Sequence, residues 1–78
     1  MNISKEQIEK PVQRKLLPSK WMEHCAKLPE SGMGYQKVNC KVQRDKNEET
    51  IRAIVLNGQF IESVEPIDTE KILNIQLI

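Results

Sequence analysis

The dipeptide Asn57-Gly58 constrains the fold of this chain more than any other feature of its sequence. Both residues accept the positive φ angles of a tight hairpin turn at low cost. Residues 50–57 lead into the turn through four consecutive apolar side chains, and residues 59–64 supply the returning strand. The sequence therefore predicts a β-hairpin at this position.

The length of the turn determines which side chains share a face of the predicted sheet. A two-residue turn places Val55 opposite Phe60 and leaves the middle strand apolar on both faces. One face is predicted to contain the apolar side chains of Val38, Cys40, Val42, Ile51, Ala53, Val55, Phe60 and Val64. The other face is predicted to contain an apolar patch and three basic residues, namely Ile54, Leu56, Ile61, Lys37, Lys41 and Arg52. Glu62 falls on the first face in this register, which requires a bulge or a position at the rim of the sheet.

Two further strands are predicted from alternation of apolar and polar side chains. Residues 35–44 alternate with a period of two, which is typical of a half-buried strand, and residues 72–77 show the same pattern. Residues 45–49 are all polar and predict the loop of a first hairpin. Pairing the apolar faces of that hairpin places Cys40 near Val55.

One helix is predicted before the sheet. Ser19 is a favourable N-cap, and residues 20–28 place Trp21 on an apolar stripe at helical spacing. The predicted fold class is α+β, mostly β. It consists of a small four-stranded antiparallel sheet or open barrel (a meander), one covering N-terminal helix and a partly ordered N-terminal arm.

The length of 78 residues allows one domain with a small core. Residues 1–18 are predicted to form an N-terminal arm and residues 19–78 a single small β-rich domain. A capping box predicts a short helix over residues 5–9, and the alternative is a disordered arm. Residues 12–18 are expected to be a linker that places two leucines on the domain, or else a docking segment.

Catalytic and metal-binding residues are scarce. A structural zinc site takes four Cys or His ligands, whereas this chain offers His24, Cys25 and Cys40. Adjacent residues on a helix point about 100° apart, so His24 and Cys25 do not form a nucleophile pair. We therefore expect no enzyme, no metal site and no cofactor.

The compartment is predicted from what the sequence lacks. The first residues do not have the basic and apolar regions of a signal peptide, and no stretch is long enough to span a membrane. Two cysteines without an export signal suggest a reduced, cytoplasmic protein.

The function that the sequence favours is a small non-catalytic binding or regulatory module acting through protein-protein interaction. The candidate interaction surface consists of Trp21, Ile54, Leu56 and Ile61. The predicted helix is expected to cover the apolar patch of this surface within one chain. A homodimer or a protein partner that covers it is the alternative.

A weak, sequence-independent nucleic-acid-binding small β-barrel is the alternative function. Its candidate basic face consists of Lys37, Lys41 and Arg52. Residues 1–46 carry 10 Lys or Arg and 5 Asp or Glu, whereas residues 47–78 carry 2 and 6. The formal net charge of only +1 and the presence of only three aromatic residues weigh against an obligate anionic partner.

Overall fold

The computed structural model describes residues 12–78, which form an open antiparallel sheet of five strands and one α-helix. In chain order the elements are β1 (Gln13–Leu16), α1 (Ser19–Ala26), β2 (Tyr35–Arg44), β3 (Asn47–Leu56), β4 (Phe60–Ser63), a 3₁₀ helix (Thr69–Lys71) and β5 (Ile72–Leu77). The strand order is β1-β4-β3-β2-β5. This architecture confirms the predicted fold class, a mostly β fold with one helix.

Strand β1 was not predicted from the sequence. Its four residues are all exposed and show no alternation, because it lies at the edge of the sheet. It pairs with β4, and Arg14 lies opposite Glu62 and forms an ion pair with it. The predicted linker over residues 12–18 is therefore largely a strand of the sheet, and of its two leucines Leu17 is buried in the core while Leu16 is exposed. The helix predicted over residues 5–9 lies outside the described residues.

Helix α1 differs from its prediction at both ends. It begins at Ser19 itself, with Pro18 at the N-cap and no side-chain cap hydrogen bond. The carbonyl oxygen of Pro18 accepts from the backbone N–H of Trp21 at 2.9 Å instead. The helix ends at Ala26, before the predicted end at residue 28.

The first hairpin has a shorter loop than predicted. Arg44 pairs with Asn47, so the turn contains only Asp45 and Lys46, and Asp45 has a φ of 24°. The polar residues after the turn extend β3 rather than form a loop, since the cross-strand ion pair of Arg44 and Glu49 at 2.7 Å holds them against β2. The predicted pairing of Cys40 with Val55 is therefore wrong.

The second hairpin turns at Asn57-Gly58, as predicted, but its loop contains three residues. Asn57 and Gly58 have φ angles of 52° and 68°, and the N–H of Gln59 donates to the carbonyl of Leu56 at 2.9 Å. Leu56 therefore pairs with Phe60. The expected two-residue turn is wrong by one residue.

This extra residue reverses the faces of β4. Ile61 lies opposite Val55 and is 2% exposed, whereas Phe60 is half-buried on the other face and Val64 is exposed. Glu62 moves to the same side as Phe60 and reaches Arg14. The three-residue turn therefore explains why Glu62 did not fit the core face in the predicted register.

The core lies between α1 and one face of the sheet, which we call the inner face. It consists of Leu17, Trp21, Cys25, Val38, Cys40, Val42, Ile51, Ala53, Val55, Ile61, Ile67, Ile72 and Ile75. Trp21 is buried, as expected, but α1 covers the face that contains Val55 rather than the predicted patch around Ile54. Each aliphatic side chain buried there contributes roughly 1.5–3 kcal/mol, and for this reason the helix packs on the more apolar face. No helix within residues 12–78 combines the length and apolar content needed to cross a bilayer.

Candidate functional site

The face of the sheet opposite α1, which we call the outer face, is organised in rows that run across the strands. Side chains that are directly opposite on neighbouring strands lie on the same face, so the register defines each row. The row nearest the second hairpin contains Leu16, Phe60, Leu56 and Tyr35. The next two rows contain Arg14, Glu62, Ile54 and Lys37, and then Arg52, Asn39 and Gln76. The outer face therefore changes from apolar to polar along the strands.

A shallow apolar groove crosses this face. It has a volume of about 290 Å³, and its lining includes four aliphatic side chains together with Lys37, Arg52 and Glu62. The four aliphatic residues, with their exposed fractions, are Val12 at 55%, Ile54 at 37%, Val64 at 43% and Ile78 at 60%. We call this feature the outer groove. Its walls bring together aliphatic side chains that come from β3 and from the ends of three other strands.

The outer groove carries uncompensated positive charge. Its one carboxylate, Glu62, is 2.5 Å from the guanidinium of Arg14 and is therefore already neutralised. Within residues 12–78, neither Lys37 nor Arg52 has a carboxylate oxygen within 4.0 Å. Lys41, further along the same face, pairs with Glu48 at 3.6 Å. Two cations thus remain available beside an apolar depression.

The structure separates the four residues of the predicted interaction surface. Trp21 and Ile61 lie in the core, while Ile54 is exposed and Leu56 is half-buried on the outer face. The reason is the three-residue turn, which sends Ile61 to the inner face. The apolar patch predicted from Ile54, Leu56 and Ile61 therefore does not exist as such.

The structure brings the three residues of the candidate basic face to one side of the sheet. Lys37, Lys41 and Arg52 are all exposed on the outer face. Three members of the outer groove were not predicted from the sequence, namely Val12, Val64 and Ile78. Val64 could have been assigned to the outer face from the sequence. It lies two residues after Glu62, which did not fit the predicted register, and residues two apart in a strand share a face. Val12 and Ile78 lie just outside strands, where alternation carries no signal.

A second concavity lies between α1 and the inner face. Its volume is about 270 Å³, and Cys25, Gln36 and Val55 contribute to its lining. Gln36 is 3% exposed, and its Nε2 donates to the carbonyl oxygens of Cys25 at 2.9 Å and of Leu28 at 3.0 Å, with that of Pro29 at 3.3 Å. Three acceptors around one atom assign that atom as the amide nitrogen. Gln36 therefore connects the C-terminal end of α1 to the beginning of β2. Its Oε1 has no donor within the described residues.

His24, Cys25 and Cys40 have structural roles. Within the described part of the chain, no three His, Cys, Asp or Glu side chains form a potential metal site. The Nε2 of His24 lies 2.7 Å from the carbonyl oxygen of Ile75, and since only an N–H can donate to a carbonyl, we assign the proton to this nitrogen. Cys25 and Cys40 are both free and buried.

Burial also determines the acidity of the thiols. Desolvation raises the pKa of Cys25 above 9.0, and desolvation together with the charge of Cys25 raises the pKa of Cys40 to about 11. A raised folded-state pKa favours the neutral thiol. The stability that it contributes is fully present below pH 9.0 and is lost as the pH rises through about 11.

We expect both thiols to resist alkylation in the native protein. At pH 8 a thiol with a pKa near 11 is only about 0.1% thiolate, the species that reacts. Iodoacetamide at pH 8 should therefore modify the folded protein far more slowly than the urea-unfolded protein, as measured by intact mass. Equal rates in the two states would contradict the burial of Cys25 and Cys40.

Comparisons with known proteins leave the interpretation to this geometry. No protein-family model, curated protein or solved structure matches the chain. The features that carry functional information are the outer groove and its two cations, Lys37 and Arg52, which have no carboxylate partner among the described residues.

Proposed function

We propose that this chain is a small non-catalytic binding module that engages a protein partner through the outer groove. The observation that carries the proposal is the cluster of exposed aliphatic side chains on a sheet face that α1 does not cover. The hydrophobic core that stabilises this domain lies on the inner face, so the four exposed aliphatic side chains of the outer groove are not part of it. Apolar side chains clustered at a soluble surface mark an interaction site more often than they stabilise the fold.

A non-catalytic role is supported by the state of the reactive groups. Both thiols are buried with raised pKa values, and the imidazole of His24 is engaged with a backbone carbonyl. None of these groups lines the outer groove. We further propose a cytoplasmic location, which two unpaired cysteines favour because thiols remain reduced there.

Nucleic-acid binding is the second candidate, and Lys37 and Arg52 favour it, since neither forms an ion pair within residues 12–78. Affinity for a single strand arises largely from bases stacked on aromatic side chains and from phosphates on basic ones. On the outer face, Phe60 and Tyr35 lie in the row furthest from Arg52, and neither contributes to the lining of the outer groove. The groove therefore supports a protein partner better than a nucleic acid.

Ile54→Asp is expected to abolish partner binding without unfolding the domain. A carboxylate at this exposed position removes the central aliphatic contact of the groove, whereas the inner core is untouched. The native chain would be used to select binders from a displayed random peptide library. The selected peptides should lose at least about 1.4 kcal/mol, or tenfold in affinity, against the variant.

Leu73→Asp is the matched control for this selection. Leu73 is 43% exposed on β5, close to the 37% of Ile54, but it does not line the outer groove. It should leave the affinity of the selected peptides unchanged. The proposal fails if the library yields no binders, or if the selected peptides bind the Ile54→Asp variant as tightly as the native chain.

A further inference from the structure

We infer that the occupant of the outer groove is an extended partner segment in which branched aliphatic and acidic side chains alternate along one face, at every second position. This inference rests on the proposed function and specifies the chemistry of the partner. The partner must supply what the groove lacks, namely carboxylates for Lys37 and Arg52. Electrostatic complementarity of this kind selects partners and orients them.

The placement of the two cations around Ile54 determines the expected spacing. Lys37 lies directly opposite Ile54 on β2, and Arg52 lies two residues before Ile54 on the same face of β3. Direct cross-strand neighbours are about 5 Å apart and same-face neighbours along a strand about 7 Å apart. A segment that places an aliphatic side chain over Ile54 therefore meets the cations with carboxylates two positions away, which lie on the same face of an extended chain.

A second copy of this chain is a poor occupant. Two outer grooves placed face to face would bring Lys37 and Arg52 of one copy against the same cations of the other. The carboxylate of Glu62 could not compensate, because Arg14 already binds it at 2.5 Å. Like charges facing each other in this way disfavour association, so the charge of the groove favours an acidic partner over self-association.

The test uses the full chain, uniformly labelled with ¹⁵N, and capped synthetic peptides. The first peptide alternates Ile and Glu at every second position, with Ser at the positions between them, so that Ile and Glu share one face of the extended chain. Matched peptides replace Glu by Gln, Glu by Lys, or Ile by Ala. At low salt the Glu peptide should shift the amide signals of residues 37, 52 and 54 and bind about threefold to tenfold more tightly than the Gln peptide. The Ala peptide should bind more weakly than either.

Charge reversal provides the second measurement. The double variant Lys37→Glu, Arg52→Glu should reverse the preference, so that the Lys peptide binds more tightly than the Glu peptide. Lys41→Glu is the matched control, because Lys41 lies on the same face but outside the groove and pairs with Glu48. It should keep the preference for the Glu peptide.

The outcomes separate the inference from the proposed function. If the Glu and Gln peptides bind equally and Ile54→Asp abolishes both, the groove binds peptides but the acidic occupant is wrong. If no peptide shifts these signals, or if Ile54→Asp has no effect, the proposed function fails as well.

Three results would identify another occupant and overturn the inference. A thymidine oligonucleotide that binds more tightly than every peptide would establish the nucleic-acid alternative. A doubled mass by light scattering that Ile54→Asp restores to that of one chain would identify a second copy. A shift of the same amide signals on introducing Ile8→Asp, without any peptide, would identify the chain's own N-terminal segment, in which Ile8 lies between Glu6 and Glu9.

Discussion

Replacement of Ile61 by alanine is expected to lower the free energy of unfolding by about 2–5 kcal/mol. Ile61 is 2% exposed and lies opposite Val55 in the core, so the substitution leaves a cavity there. Ile54→Ala should cost less than about 1 kcal/mol, because Ile54 is on the outer face and 37% exposed. Chemical denaturation followed by tryptophan fluorescence measures both losses, since Trp21 is in the same core.

This pair of variants tests the length of the second turn directly. A two-residue turn would place Ile54 and Ile61 on one face and predicts similar losses for both. The three-residue turn places Phe60 opposite Leu56 and separates the two isoleucines. Similar losses, or a larger loss for Ile54→Ala, would therefore refute the register of β4. Amide cross-strand contacts from Val55 to Ile61, rather than to Phe60, would support it independently.

Gln36→Leu is expected to destabilise the domain by about 1–3 kcal/mol. The leucine has a similar size, but it removes the donor shared by the carbonyl oxygens of Cys25 and Leu28, which are within 3.0 Å of Nε2. The carbonyl oxygen of Cys25 keeps a second donor, the backbone N–H of Leu28 at 3.0 Å, so the loss falls mainly on the carbonyl oxygen of Leu28. A buried acceptor that loses its donor costs roughly 1–3 kcal/mol. Removal of the unpaired Oε1 offsets part of this loss. The loss would be measured from the urea midpoint, with the helical content followed by circular dichroism.

Gln43→Leu is the matched control for this variant. Gln43 also places its Nε2 near three carbonyl oxygens, those of Arg44, Asp45 and Asn47, but at 3.2–3.5 Å and in an exposed turn. Solvent can replace these contacts, so the expected loss is below about 0.5 kcal/mol. Equal losses for the two variants would show that Gln36 does not anchor α1 as described.

Local patterns determined most of the elements. The alternation of residues 35–44 and 72–77 predicted β2 and β5 with the bounds that the structure has. The positive φ angles of Asn57 and Gly58 confirm the second hairpin. These signals are readable because a period of two, or a tolerance for positive φ, depends on a few adjacent residues.

Part of the candidate site was equally accessible from the sequence. Lys37, Lys41 and Arg52 were predicted to share a face, and the register of β2 and β3 places them together. These three residues share a face because of the period of two within β2 and β3. A change in register by an even number of residues leaves that face unchanged. Of the aliphatic side chains in the outer groove, Ile54 was predicted on this face, whereas Val64 was assigned to the other face and Val12 and Ile78 lie outside the strands.

The tertiary structure decided the register, the fifth strand and the side of the sheet that α1 covers. Alternation in β4 fits either face, and the choice depends on whether Ile61 or Phe60 packs against Val55 and whether Glu62 can leave the core to meet Arg14. Strand β1 exists through its pairing with β4, in which Arg14 lies opposite Glu62, 48 residues away. Such contacts join residues that are distant in sequence, so their free energy is set by the packed core rather than by any local pattern. The sequence by itself thus determined the strands and the basic face, and only the folded chain determined which apolar side chains remain beside that face for a partner.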